Sequence, residues 1–141
     1  VTTPEPAPPL SVVVPSRNTR HLTLACLASL AAAGALPQLA AMEVVLVDDA
    51  GSDGTAEAVV ESFPRVRLLR LGTRAGFTRA ANLGLAAARG ELLLLLNSDT
   101  EVEGAGLAAL PACFAAAPRL GIGGAALRYP DGTPQWSGGG E

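Results

Sequence analysis

The sequence contains no lysine: all ten of its basic residues are arginines. That excludes P-loop phosphate binding, which needs a Gly-x-x-x-x-Gly-Lys turn, and every other mechanism that needs a lysine. Histidine is almost as scarce, with His21 alone and placed at a helix start, where it reads as neither ligand nor base. Cysteine occurs twice, as Cys26 and Cys113 in alanine- and leucine-rich surroundings with no Cys-x-x-Cys spacing, which predicts two reduced, buried thiols in a cytoplasmic protein. No apolar run approaches the roughly 20 residues of a membrane helix, and nothing has the charged-then-apolar layout of a signal peptide. The net charge of -3 and the scattered arginines argue against nucleic acid as a partner.

What remains fits one globular domain: 141 residues, 49% of them hydrophobic. The first residue is not Met, a proline-rich leader or linker occupies 1–9, the domain runs over 10–137, and a glycine-rich tail follows at 138–141. Both ends read as cuts or linkers, which predicts a piece of a longer polypeptide, itself cytoplasmic or peripheral to a membrane.

Within the domain, β-branched and apolar runs alternate with alanine-rich helical segments. Leu10-Ser11-Val12-Val13-Val14 is a strand that Pro15 is expected to halt. Ser16-Arg17-Asn18-Thr19 then makes a turn and offers a cap to a helix reaching about Ala33. Glu43-Val44-Val45-Leu46-Val47 is a second strand running into Asp48-Asp49, and Ser52 or Asp53 caps a helix to about Phe63. Residues 66–71 alternate like a strand nearer an edge.

A third helix from Gly76-Phe77 to Ala88 has Ala80, Ala81, Leu83, Gly84 and Ala87 as its packing face, and Gly90 is expected to close it in the left-handed conformation. Leu92 to Leu96 reads as a strand covered on both faces, 107–116 as a helix, 120–127 as a glycine-rich strand, and Asp131-Gly132 as a turn. Strands alternating with helices imply an α/β fold with a Rossmann-like, mainly parallel sheet and helices on both faces.

Twice a buried strand ends in aspartate, at Asp48-Asp49 and at Asp99. Ligands bind beyond the carboxyl ends of strands in such sheets. Two acids there can hold a divalent cation, contact a ribose or base, or act as acid and base. Asn97, Ser98, Asp99 and Glu101 directly after five leucines are more polarity than a helix cap needs. A lone aspartate suits Mg²⁺ or Mn²⁺, which keep waters and share their coordination with phosphates. A dinucleotide-binding fold would place Gly-x-Gly-x-x-Gly after the first strand, where this chain has Pro15-Ser16-Arg17-Asn18.

Five segments in order carry a family resemblance. They are Ser11 to Asn18, Val45 to Thr55, Gly76 to Gly84, Leu95-Leu96-Asn97-Ser98-Asp99-Thr100, and Arg128 to Gln135. Together the chain resembles the nucleotide-binding part of a family 2, GT-A-type glycosyltransferase, in the bacterial branch that includes rhamnosyl- and galactofuranosyltransferases. The resemblance implies a metal-dependent, inverting enzyme that moves a sugar from a UDP- or dTDP-sugar to a glycan or lipid-linked acceptor, with Mn²⁺ or Mg²⁺ as cofactor.

By the same resemblance Pro15, Ser16, Arg17 and Asn18 lie against the nucleoside, and Asp49 accepts a hydrogen bond from the base with Asp48 supporting it. Asn97 and Ser98 border the nucleotide, and Asp99, the last acid of an Asp-x-Asp-like motif, holds the metal. Arg79, or Arg74, adds positive charge. The family's catalytic base belongs to a segment after Glu141, and Glu101, Glu103 and Asp131 do not match its motif. The other reading is a nucleotide- and metal-binding module without chemistry. An incomplete sheet would also leave an apolar edge that a homodimer could cover.

Overall fold

The computed structural model describes residues 6–135. The start of the leader, Trp136 and the 138–141 tail lie outside the described residues. The chain divides into two compact units, Val1–Pro111 and Ala112–Glu141.

The first unit is built on a four-stranded parallel sheet in the order β3-β2-β1-β4. Its strands are β1 (Leu10–Ser16), β2 (Glu43–Asp48), β3 (Arg67–Arg70) and β4 (Leu92–Leu95). The helices are α1 (Arg20–Ala33), α2 (Thr55–Ser62) and α3 (Phe77–Ala87), with α4 (Gly104–Ala116) continuing into the second unit. A single 3-10 turn, Pro37–Leu39, sits between α1 and β2.

Alternation along β1 divides the core. Leu10, Val12 and Val14 pack with Cys26, Leu27 and Leu30 of α1 and Val59 of α2. Val13 faces the other way and packs with Val45, Val47 and Ala80 of α3. Helices therefore cover both faces of a parallel sheet, and β1 is buried along its whole length.

The α3 face shows why small residues are there. A Cβ on Gly84 would collide with the side chains of Val13 and Val47, so only glycine lets the helix lie this close to the sheet. Ala80 and Ala81 share the buried stripe, whereas Leu83 is exposed, against the sequence expectation.

Several other expectations are corrected. Pro15 does not halt β1: it pairs in register with Val47. The odd residues of β1 bond toward β4, as in the Leu96 N–H to Val13 carbonyl bond, while Ser16 accepts the Asp49 N–H on the β2 side. Pro15 thus faces the β4 side just past the last β4 pair, where no donor is required. Gly90 is not left-handed, and α3 ends at Ala88 in extended conformation. Glycine is needed at 90 because a Cβ would strike the backbone of Ser11, whose hydroxyl accepts the Gly90 N–H at 2.8 Å.

β4 is not covered on both faces. It lies at the sheet's end, and Leu93 and Leu95 are 49% and 42% exposed. In the second unit, no strand forms over 121–126: Gly121, Gly123 and Gly124 raise the entropy cost of extension and bring no side chains to pack. Among the described residues of that unit, only β5 (Leu127–Arg128) and β6 (Pro134–Gln135) pair, as an antiparallel hairpin around Asp131-Gly132. Cys26 is buried as expected, but Cys113 is exposed.

At the end of the sheet away from the strand tips, Glu43 is buried and ties four segments together. Its carboxylate accepts from the Ser11 hydroxyl at 2.5 Å, the Arg89 N–H at 2.8 Å and Arg89 Nε at 3.0 Å, with Arg67 3.5 Å away. Burial alone would raise its pKa, but the Ser11 and Arg89 bonds outweigh that and hold it below the ordinary carboxylate value.

Candidate functional site

β1 opens the chain from the middle of the sheet. β2 and β3 are then laid down on one side of it and β4 on the other. Strand order therefore reverses between β1 and β4, and their loops part to leave a crevice. A cleft of about 290 Å³ lies there, in the first unit. Pro15 and Ser16 border it from β1 and Arg17 from the turn after it, Asp49 from the β2 tip, and Asn97, Ser98 and Asp99 from beyond the β4 tip. Arg74, Gly76 and Phe77 close it from the β3–α3 loop and the start of α3.

Three of the sequence-predicted residues do not border the cleft, and each has a visible place. Asp48 is buried beneath it, accepting the Gly51 N–H at 3.2 Å, with Arg70 Nε 3.9 Å from the carboxylate. Asn18 has φ +53 and accepts the Ser52 N–H at 2.8 Å, pinning the β1–α1 turn to the β2–α2 loop. Arg79 is exposed on α3. Arg74 borders the cleft, as does Arg17.

The two loops over β1 and β2 are built as one. Asp53 accepts the Arg20 N–H at 2.8 Å through one oxygen and the Thr55 N–H and hydroxyl at 3.1 and 2.6 Å through the other. One carboxylate thereby closes the starts of α1 and α2, two sites of positive helix-end potential. Burial opposes its charged form, yet the bonds from Thr55 and Arg20 prevail and lower its pKa. The sequence expectation that Ser52 or Asp53 caps α2 is thus met in a different form. The cap position itself is Gly54, left-handed at φ +78, and Asp53 binds from one residue further out.

Asp49 serves the opposite wall. Its oxygens accept the N–H groups of Ala75 and Gly76 at 2.5 and 2.9 Å, which fixes the β3–α3 loop and with it Arg74 and Phe77. Asp49 is 5% exposed, so the bonds are sheltered from water. Across the cleft Asp99 is exposed and accepts no hydrogen bond from the described residues, leaving its carboxylate available. No cluster of three or more metal-ligating side chains occurs among the described residues. The donor set is one free carboxylate with the Asn97 amide nearby in sequence. That fits a hard divalent ion held jointly with a ligand's phosphates and water, and does not fit a closed protein cage.

Sequence reasoning did not find the hydroxyl cluster under this wall. Ser16 Oγ lies 2.8 Å from Thr23 Oγ1 and 3.1 Å from Thr19 Oγ1, and Thr19 Oγ1 lies 3.1 Å from Ser98 Oγ. Ser16, Thr19 and Thr23 stand at helical spacing, but nothing in the sequence joins them to Ser98, 79 residues after Thr19. Beneath them the Cys26 thiol is pushed up to about 12 by burial and by the negative charges of Asp99 and Glu101, so it stays protonated.

The comparisons with known proteins agree with this geometry. The sequence profile described as Glycosyl transferase family 2 matches residues 11–140. An N-acetylglucosaminyl-diphospho-decaprenol L-rhamnosyltransferase of Mycobacterium tuberculosis is 32% identical over 104 residues, covering 65% of this chain and 34% of that protein. The crystal structure of S. aureus TarS 1-349 in complex with UDP-GlcNAc superposes with a TM-score of 0.67 at 29% identity, covering 76% of this chain and 31% of that one. The mannosyltransferase PcManGT from Pyrobaculum calidifontis, in complex with GDP-Man and Mn²⁺, gives 0.62 at 30% identity, covering 77% and 33%. The chain spans about a third or less of the length of the curated relatives it matches first. No helix among the described residues is long and apolar enough to cross a membrane. With a parallel sheet, a cleft at its switch point and a profile match over nearly the whole length, the chain belongs to glycosyl transferase family 2 and has a GT-A-like fold.

Proposed function

We propose that this chain is the donor-binding part of a metal-dependent, inverting glycosyltransferase that moves a sugar from a UDP- or dTDP-sugar to a glycan or lipid-linked acceptor. One observation carries the reading: the Asp99 carboxylate, which accepts no hydrogen bond from the described residues, and Arg74 border a single cleft with Asp49 at the β1/β4 switch point. Complexes of structural relatives with UDP-GlcNAc and with GDP-Man and Mn²⁺ support it.

In this reading the nucleoside lies along Pro15, Ser16 and Arg17, with Asn18 and Asp48 shaping the wall behind. Asp49 accepts from the base, and the half-exposed ring of Phe77 offers it an apolar face. Asn97 and Ser98 border the diphosphate. Asp99 holds Mn²⁺ or Mg²⁺, which when bound supplies positive charge for the leaving nucleoside diphosphate. Arg74 adds a fixed cation at the same cleft, with Arg79 further out on α3.

The general base that deprotonates the acceptor hydroxyl is assigned to none of these residues. Asp49 is engaged by two backbone N–H groups, and Glu101 and Glu103 do not border the cleft. This favours a second reading for the 141-residue chain by itself, a nucleotide- and metal-binding module without transfer. The free thiols of Cys26 and Cys113 fit a reducing, cytoplasmic location. The β4 edge, with Leu93 and Leu95 exposed, supports a homodimer by strand addition, which light scattering would register as a doubled mass.

Calorimetric titration with UDP and dTDP, with and without Mn²⁺, tests the proposal. Binding that Mn²⁺ strengthens is the expected result, and no binding by the intact chain would contradict both readings. Given binding, a transfer assay separates enzyme from module.

A further inference from the structure

The loop bearing Asp99 is stitched to one face of α1 at three points. At the helix start, Thr19 Oγ1 is 3.1 Å from Ser98 Oγ. Two turns on, the Cys26 thiol donates a long bond of 3.9 Å to the Asn97 carbonyl. One further turn along, Ser29 Oγ accepts the Val102 N–H at 3.0 Å while donating to the Cys26 carbonyl at 2.7 Å. Spacings of seven and then three residues put 19, 26 and 29 on one helix stripe.

The helix behind this stripe is rigidly held, since Leu27 and Leu30 are in the core and its first N–H is closed by Asp53. By contrast Asn97 and Asp99 are exposed, and β4 has ended at Leu95. Beyond Leu96, whose N–H still bonds to the Val13 carbonyl of β1, the loop is tied to α1 rather than to the sheet.

Ser16, Thr19, Thr23 and Ser98 make four mutual contacts with four hydroxyl protons. Ser16, Thr19 and Thr23 form a closed triangle that consumes three. Every contact is satisfied only when Ser98 donates the fourth to Thr19, so Thr19 is the acceptor that fixes the Ser98 hydroxyl at the cleft.

We propose that the Thr19, Cys26 and Ser29 stripe of α1 positions the 97–102 loop so that Asp99 is preset for a divalent cation and a diphosphate. These are positioning residues, and the inference rests on the donor-site reading of Asp99. An exposed loop without such ties would spend binding energy on ordering itself at each encounter.

The test uses the intact chain with Thr19→Val, which keeps shape and removes the hydroxyl, Thr19→Ser, which restores it, and Ser29→Ala at the far end. UDP is titrated with and without Mn²⁺, and amide hydrogen exchange is followed over 97–102. Thr19→Val is expected to cut the Mn²⁺-dependent gain in UDP affinity by roughly tenfold while changing metal-free affinity less than about twofold. Thr19→Ser recovers most of the gain. Thr19→Val and Ser29→Ala both accelerate exchange in 97–102, with α1 and β1 still protected.

A wild-type gain that survives Thr19→Val and Ser29→Ala, with exchange unchanged, overturns the positioning role alone. Equal losses with and without metal overturn it too. Absence of any Mn²⁺-dependent gain in the wild type overturns the donor-site reading and this inference together.

Discussion

Asp49 and Gly76 are joined across the mouth of the cleft: the Gly76 N–H donates to Asp49 Oδ2 at 2.9 Å, while the neighbouring Ala75 N–H engages Oδ1. An acid at the tip of β2 thus holds the loop that begins α3. Asp49→Asn sets an amide donor against one of these N–H groups. The variant is expected to lose about 1–3 kcal/mol of stability. It should also bind UDP more weakly with and without Mn²⁺ alike, because the loop rather than the ion is disturbed. Urea denaturation and calorimetry check both, and a loss confined to the Mn²⁺-bound state would refute the assignment.

Glu43 makes a pH prediction. Its pKa is lower in the folded protein than in the unfolded chain, where it is about 4.3, so its contribution is fully present above that value and fades as pH falls through the folded pKa. Glu43→Ala leaves the Ser11 hydroxyl and the Arg89 N–H without their acceptor and is expected to cost about 2–3 kcal/mol near pH 7. The gap between wild type and variant should narrow below about pH 4. A gap that stays constant down to pH 2 would show that the carboxylate's charge is not what stabilises this corner.

Ala50 carries strain in the β2–α2 loop, being a non-glycine residue at φ +54. Ala50→Gly relieves a left-handed conformation that costs an L-residue about 1–2 kcal/mol, against a smaller entropy loss in the unfolded chain. Thermal melting should rise slightly. A clear fall in melting temperature would mean that the backbone there is not strained.

At Gly84 the opposite holds. Gly84→Ala improves helix propensity by about 1 kcal/mol, but the new methyl meets Val13 and Val47. Overpacking of this kind costs about 1–3 kcal/mol, so a net destabilisation is expected by denaturant titration. A stabilised variant would show that α3 can lift from the sheet at little cost.

Much of this was legible in the residues. The order of strands and helices follows from apolar runs and breakers, and the ends of α1 and α3 fall within a residue or two of the expectation. Asp49, Asn97, Ser98 and Asp99 stand at strand tips, which a parallel sheet brings together at one end. Less legible was anything set by the neighbours of an element. Five leucines encode a strand able to be buried twice over, but its position at the sheet's end exposes Leu93 and Leu95. Pro15 reads as a breaker until it is known which side of β1 has run out of partners. The choice of Arg74 over Arg79 depends on which side of Gly76 turns toward the cleft. Likewise the Glu43 clamp and the Thr19 to Ser98 contact join residues more than twenty positions apart, with no pattern to announce them.

Asp99 bears the central claim, and UDP titration of the wild type and of Asp99→Asn, each with and without Mn²⁺, tests it most directly. The account predicts that Mn²⁺ strengthens UDP binding by the wild type, that Asp99→Asn removes most of this gain, and that metal-free affinity stays nearly the same. Equal losses in both conditions, or a gain retained by the variant, would contradict it.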